Sequence, residues 1–289
     1  MDLSINATKK LSNGVEIPYL GFGVFLVNDP TECEQSVLAA IKNGYRSIDT
    51  ATRYENEEFV GNAIKAAGVP REELFITTKV WVTDFGYEET KKAFHESLKK
   101  LQLDYLDLYL IHWAAPGFEE TWRALEDLYE EGLVRAIGVC NFQIHHFEKL
   151  AETAKITPML NQVETHPLFQ QVELRNYLAQ HDIAHEAWAP LGQGKNGLFD
   201  SPALAEIAKK HNKTVAQVIL RWHLDRDTII IPKSVHEHRI IENADLFDFA
   251  LDTDDIKTIT SLDTNQRSFG NPDDIERFKA MQEAAKSNS

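Results

Sequence analysis

Cysteine is nearly absent from this 289-residue chain: only Cys33 and Cys140 occur. Two thiols cannot build a disulfide framework, so a reducing, cytoplasmic setting is expected. No apolar run approaches the roughly 18 residues that a membrane-spanning helix needs. The opening Met1-Asp2-Leu3-Ser4 lacks the basic and apolar regions of a secretory leader. Positive charge is scarce as well, since 30 Lys and Arg against 45 Asp and Glu leave a formal net charge of −15. That average repels nucleic acid and anionic lipid, so neither is expected as a partner; a monomer acting on a small molecule is. No Gly-, Ser- or Pro-rich linker divides the chain, and residues 1–289 are read as one domain. Missing too is the G-x-G-x-x-G turn of an open dinucleotide-binding sheet. Gly21-Phe22-Gly23 is followed by Leu26 where the third glycine would stand, which disfavours that fold.

What is present alternates. Short apolar runs rich in β-branched residues stand at Leu20–Gly23, Arg46–Asp49, Leu74–Lys79, Leu106–His112, Ala136–Cys140, Leu160–Val163, Ala184–Trp188 and Thr228–Pro232. Between them lie amphipathic stretches at Pro30–Lys42, Glu57–Ala67, Tyr87–Lys100, Glu119–Glu131 and His145–Ala154. Phe94, Leu98 and Leu101 show the three-and-four spacing of a helix face. Asn13-Gly14, between Leu11 and Val15, signals a tight hairpin ahead of the first unit. Eight strands alternating with helices in about 250 residues predict an α/β fold, a (β/α)8 barrel with an N-terminal hairpin.

The most informative residues follow the apolar runs. Asp49, Lys79, His112, Cys140-Asn141, Gln162, Trp188 and Lys233 stand at or near successive strand ends. A polar residue at one strand end is unremarkable, but in a parallel barrel all of these converge on the carboxyl-terminal mouth, where barrel enzymes place their chemistry. Tyr54, five residues past Asp49, can return over that mouth. A phenol is a weak acid near pKa 10, and the ammonium of Lys79, held by Asp49, would lower that value. His112 can donate a hydrogen bond to a carbonyl oxygen and stabilise developing charge. This set protonates an oxyanion while hydride arrives from a cofactor, since no side chain donates one. Trp188 offers a face on which a nicotinamide can stack, with Asn141 and Gln162 to hold its carboxamide. Lys233, leaving the eighth strand, and Arg239 make a phosphate site near a helix start.

These stretches strongly resemble the aldo-keto reductase family. The matching blocks are Gly44-Tyr45-Arg46-Ser47-Ile48-Asp49-Thr50-Ala51 with Tyr54 and Asn56-Glu57, Lys79-Val80-Trp81, and Leu106 through Trp113. Ile137-Gly138-Val139-Cys140-Asn141-Phe142, Asn161-Gln162-Val163-Glu164 with His166-Pro167, and Ile231-Pro232-Lys233-Ser234 with Arg239, Glu242 and Asn243 follow in family order. The resemblance implies a catalytic tetrad at Asp49, Tyr54, Lys79 and His112, and an extended NADPH bound without a Rossmann fold. It places cofactor contacts at Gly23, Val24, Asp49, Cys140, Asn141, Gln162, Trp188, Ala189, Leu191, Gly192, Lys233, Ser234, Val235, Arg239, Glu242 and Asn243. Substrate contacts fall at Phe25, Tyr54, Trp81, His112 and Trp113, an aromatic entrance suited to aldehydes, ketoacids or keto sugars. The run Glu186-Ala187-Trp188-Ala189-Pro190-Leu191-Gly192 and the short segment after Asp263 resemble the prokaryotic diketogluconate reductase branch. Two positions depart from the pattern. Cys140 replaces the usual serine and is a weaker donor, and His236 stands where relatives vary.

Rival functions leave residues unexplained. An aldolase using Lys79 as a Schiff-base nucleophile gives no role to Tyr54 or Trp188. A metal-dependent hydrolase lacks a His-x-His after the first strand, and no metal is expected. His145-His146 and His181 with His185 are read as surface residues rather than ligands. A non-enzymatic cofactor sensor has no use for a complete tetrad.

Overall fold

Asn13-Gly14 turns the chain as its sequence suggests. In the computed structural model, β1 (Thr8–Lys10) and β2 (Glu16–Pro18) pair antiparallel, and Gly14 takes the left-handed conformation at φ +90° that closes the turn. The structure describes residues 3–287. Met1 and Asp2, part of the stretch inspected for a leader, and the last two residues of the 1–289 unit lie outside the described residues.

Eight strands follow: β3 (Gly21–Gly23), β4 (Ser47–Asp49), β5 (Phe75–Val80), β6 (Leu106–Ile111), β7 (Val134–Cys140), β8 (Leu160–Glu164), β9 (Ala184–Trp188) and β10 (Ile229–Ile230). Each pairs in parallel with the next in chain order, and a bridge from Leu20 to Ile230 closes the ring. The fold is a (β/α)8 barrel. Its last strand is shorter at both ends than the Thr228–Pro232 run expected, and Pro232 at the far end has no N–H for the ladder. The Pro232 carbonyl instead accepts the Gly23 N–H at 3.2 Å.

The helices are α1 (Pro30–Lys42), α2 (Glu57–Ala67), α3 (Tyr87–Leu101), α4 (Phe118–Glu130), α5 (Ile144–Ala151), α6 (Val172–Gln180), α7 (Pro202–His211), α8 (Val215–Asp225), α9 (Glu237–Ala244), α10 (Thr253–Thr260) and α11 (Ile275–Ser287). Local chemistry explains their starts. Asp29 caps α1 by accepting the Glu32 N–H, with Pro30 behind it, and Thr214 with Gln217 forms a capping box on α8.

Strands β5 and β6 are buried throughout, as parallel strands covered on both faces must be. Gly138 in β7 is required there, since a Cβ would stand 2.6 Å from the Leu160 carbonyl oxygen of β8. The two ends of the barrel differ in their polar residues. At the foot, Asp107 accepts from Arg71 at 2.6 Å, Arg135 at 2.7 Å and the Ile76 N–H at 2.9 Å. Lys9 and Tyr19 both bind Asp227 there, which pins the hairpin under the barrel. These groups are paired and serve stability. The mouth is arranged otherwise.

Candidate active site

Lys79 points into the barrel and is fully buried. Its Nζ donates to Asp49 Oδ1 at 2.5 Å and to the Thr50 carbonyl at 2.9 Å. The loop after β4 is tied down by its own polar groups. Thr52 Oγ1 donates to the Lys79 carbonyl at 2.9 Å. Asn56 takes the Thr50 hydroxyl and donates to the carbonyls of Val24 and Val27, which joins this loop to the one after β3. Tyr54 is thereby held half-buried over the mouth, with Lys79 Nζ 5.1 Å from its ring centre. Its ring lies 5.7 Å from that of His112 and 5.1 Å from that of Phe25, and Trp81 meets His112 at 5.1 Å. The structure brings Asp49, Tyr54, Lys79 and His112 into one cluster.

Protonation follows from this packing. Burial disfavours charge on Lys79, but the adjoining Asp49 outweighs it and holds the ammonium above its ordinary pKa. Burial pushes the Tyr54 phenol up to about 12, although Lys79 works in the opposite direction. The expected depression is therefore present as a contribution but does not win, because desolvating a phenolate costs more than one ammonium returns. Tyr54 is a neutral phenol at pH 7. Burial, with Lys79 and Arg53, holds His112 well below its ordinary value, so it is a neutral donor rather than a cation. Its Nδ1 is buried without a hydrogen-bond partner. Burial raises the Cys140 thiol well above its usual range.

Beside this cluster, Asn141 adopts a left-handed φ of +62° just past β7. It donates to the His112 carbonyl at 3.0 Å and accepts the Trp188 indole N–H at 2.8 Å. One amide hydrogen and one lone pair of Asn141 stay free. Gln162 crosses the barrel, its Nε2 2.8 Å from Asp49 Oδ2 and 2.9 Å from Glu186 Oε2. Among the described residues its Oε1 meets the Cys140 sulfur alone, at 3.9 Å. Ala189, just past β9, is also left-handed at φ +48°. An alanine there stores roughly 1–3 kcal/mol of strain, a feature that clusters at functional sites. It turns the chain into the 192–200 segment, with Leu191 partly buried and Gly192 buried.

At the far rim, Gly23 and Val24 are buried beside the end of β10, where the Gly23 N–H binds Pro232. Ser234 is buried and its hydroxyl accepts the His236 N–H at 3.1 Å. Val235 is half-buried, and Lys233 and Arg239 are exposed with no ion-pair partner among the described residues. His236, at the N-cap of α9, makes no side-chain capping bond, which leaves amide N–H groups beside the two cations. Glu242 accepts from Thr214 at 2.8 Å, and Asn243 is buried.

The carboxyl-terminal segment covers the mouth. The Ser268 N–H donates to Glu164 Oε1 at 2.7 Å, and Phe269 lies 5.3 Å from Trp188. A Cβ on Gly270 would come within 3.3 Å of Trp113. The histidines read as surface residues divide: His145 and His181 are exposed, whereas His146 and His185 are buried. His185 has a polar neighbour inside, Thr165 Oγ1 at 2.9 Å. His146 packs on Phe118 and Phe142, which a polar letter in sequence does not reveal. His145 and His146 converge on Asp273 at 2.8 and 3.3 Å. The His146 Nδ1 accepts the Gln143 N–H at 3.0 Å, so in the neutral ring the proton sits on Nε2. The hydrogen bond that clasps the carboxyl-terminal segment runs from His145 Nε2 to Asp273 Oδ1, with His146 Nε2 turned toward the same oxygen. Sequence reading missed Glu186, Ser268 and Phe269. Period-two alternation through Gln162, Glu164, Glu186 and Trp188 was the available signal.

Residues 20–264 match the model of the Aldo/keto reductase family. The chain is 58% identical to glyoxal reductase of Bacillus subtilis over 278 residues, covering 95% of this chain and 99% of that protein. It is 49% identical over 267 residues to methylglyoxal reductase DkgA of Salmonella typhimurium, covering 91% and 96%. A crystal structure of a Gox0644 mutant in complex with NADPH superposes with a TM-score of 0.88 at 40% identity, covering 93% of this chain and 98% of that one.

Proposed function

Since this chain belongs to the aldo/keto reductase family, it reduces carbonyl groups to alcohols with NADPH, and we propose that Asp49, Tyr54, Lys79 and His112 do so on small 2-oxoaldehydes. One observation carries this reading: the buried Lys79 ammonium sits between Asp49 and the Tyr54 ring, at a mouth edged by aromatic rings.

The residues present fit NADPH. Asn141 keeps one donor and one acceptor, and Gln162 Oε1 is buried with only a thiol beside it. The Trp188 indole is held edge-on by Asn141 with part of its surface open. Lys233 and Arg239 stand beside the start of α9 without an ion-pair partner among the described residues, as a 2′-phosphate would require. We assign Gly23, Val24, Asp49, Cys140, Ala189, Leu191, Gly192, Ser234, Val235, Glu242 and Asn243 to the same groove. Bound NADPH supplies hydride from its nicotinamide.

The protein supplies the rest. A neutral His112 donates a hydrogen bond to the substrate oxygen and orients it toward Tyr54. As negative charge grows on that oxygen, the Tyr54 hydroxyl gives up its proton. Lys79 stabilises the phenolate left behind, and Asp49 keeps Lys79 charged. A phenol pushed up to about 12 does not ionise early, so the proton leaves only when the stronger alkoxide base forms. Phe25, Trp81 and Trp113 line the entrance. We further propose a single-domain monomer in a reducing cytoplasm without a nucleic-acid partner, on the support of two buried free thiols and the −15 charge.

Relatives named for glyoxal and methylglyoxal support the substrate class. A kcat/KM panel of methylglyoxal, glyoxal, a 2-ketoacid and a keto sugar tests it. The dicarbonyl aldehydes should rank first by an order of magnitude, and preference for the ketoacid or sugar would overturn the assignment.

A further inference from the structure

Gln162 has two amide hydrogens, and two carboxyl groups take them. Asp49 Oδ2 on β4 lies 2.8 Å from Nε2, and Glu186 Oε2 on β9 lies 2.9 Å away. The parallel register sets Gln162 of β8 directly beside Glu186, while Asp49 reaches it across the barrel interior. Both acceptors contact the same nitrogen, which settles which end of the amide is NH₂. The carbonyl Oε1 is the end left over. Its neighbour is the Cys140 sulfur at 3.9 Å, a weak donor that leaves the oxygen available to a stronger one.

We propose that Glu186 is a positioning residue: with Asp49 it clamps the Gln162 amide in one plane, aiming Oε1 at the cofactor's carboxamide N–H. Asp49 alone fixes which end faces it but leaves the amide free to rotate about its last torsion. A second acceptor on the opposite side removes that freedom. A carboxyl 1% exposed in the interior of a barrel is costly unless it is bonded, and among the described residues Gln162 is the hydrogen-bond partner found for it. Protonated or ionised, Glu186 accepts the same N–H, so the clamp holds in both states. The proposal rests on the reading that NADPH places its carboxamide beside Gln162.

The test compares NADP⁺ with its 3-acetylpyridine analogue, in which a methyl group replaces the amide nitrogen and no N–H reaches Oε1. Dissociation constants are measured by calorimetry on the whole protein. Glu186→Leu should weaken NADP⁺ about five- to tenfold, the worth of one hydrogen bond. It should leave the analogue within about twofold. Glu186→Gln, which keeps an acceptor oxygen, should restore NADP⁺ binding. Gln162→Ala should show the same split between cofactors, and adding Glu186→Leu to it should cost nothing more. If the leucine variant is too unstable to titrate, Glu186→Ser, whose hydroxyl is too short to reach Nε2, repeats the comparison. Equal losses for both cofactors, or none for either, would overturn the clamp while leaving the cofactor reading intact. A Gln162→Ala variant that fails to separate the two cofactors would remove the carboxamide from Gln162, and the clamp with it.

Discussion

Replacing Lys79 with methionine removes a buried ammonium and keeps the length and flexibility of the side chain. Two losses follow, and they are separable. Asp49, 3% exposed at its side chain, loses the partner held at 2.5 Å and keeps only the Gln162 N–H on its other oxygen. Orphaning one member of a buried pair costs roughly 3–5 kcal/mol. Total stability is about 5–15 kcal/mol, so the variant should fold with a much lower urea midpoint. The second loss is chemical. Lys79 is the largest influence holding down the pKa of Tyr54 against burial, and without it the phenol is a poorer acid. A fall in kcat of about 10²–10⁴ is expected, the range for a disabled general acid. Coupling Lys79→Met with Asp49→Asn separates the two effects, since it removes both charges at once. Urea melts and steady-state rates on the three variants are the assay. The double variant should recover most of the stability and none of the rate. If the rate returned together with the stability, Lys79 would be acting only through folding and the proton-transfer role would fall.

Arg239→Ala should weaken NADPH by about ten- to a hundredfold and barely change NADH, since an exposed guanidinium without an ion-pair partner among the described residues is free for a 2′-phosphate. Titrating both cofactors into both proteins checks this, and matched losses would contradict it. NADPH should quench tryptophan fluorescence through Trp188, and with five tryptophans present the Trp188→Tyr variant must lose part of that quench. Burial, helped by the charge of Asp49, pushes the Glu186 carboxyl from 4.5 up to about 8. Between those values the folded protein keeps a proton that the unfolded chain releases, so stability falls as pH rises through that window. Buried His112 and His185, held below their ordinary pKa, act in the opposite sense below about pH 6.5, so urea midpoints from about pH 7 to 8 should show this slope, and Glu186→Gln should flatten it.

The barrel was legible because its strands are buried on both faces and read as unbroken apolar runs, each closed by a polar residue. Asp49, Lys79 and His112 stood out as polar letters against those runs, and Tyr54 by its distance from Asp49. Glu186 did not, although it lies two residues from Trp188. A strand that buries a carboxylate looks wrong until its partner on β8 is seen, and pairing across strands is not local information. Ser268, Phe269 and Gly270 lay in a polar segment without periodicity, and their contacts with Glu164, Trp188 and Trp113 depend on a loop path that no pattern encodes. His146 and His185 were misplaced for a similar reason, since an imidazole looks polar in sequence yet packs as an aromatic ring. The direction of the Tyr54 shift depends on a balance of burial against charge, which only the folded packing sets.

The most direct measurement is single-turnover reduction of methylglyoxal by Tyr54→Phe with NADPH prebound. That variant keeps the ring packed against Phe25 and His112 and loses only the hydroxyl. The chemical step should slow by about 10²–10⁴, while the NADPH dissociation constant stays within about twofold. A Tyr54→Phe protein that turned over at the wild-type rate would contradict Tyr54 as the proton donor.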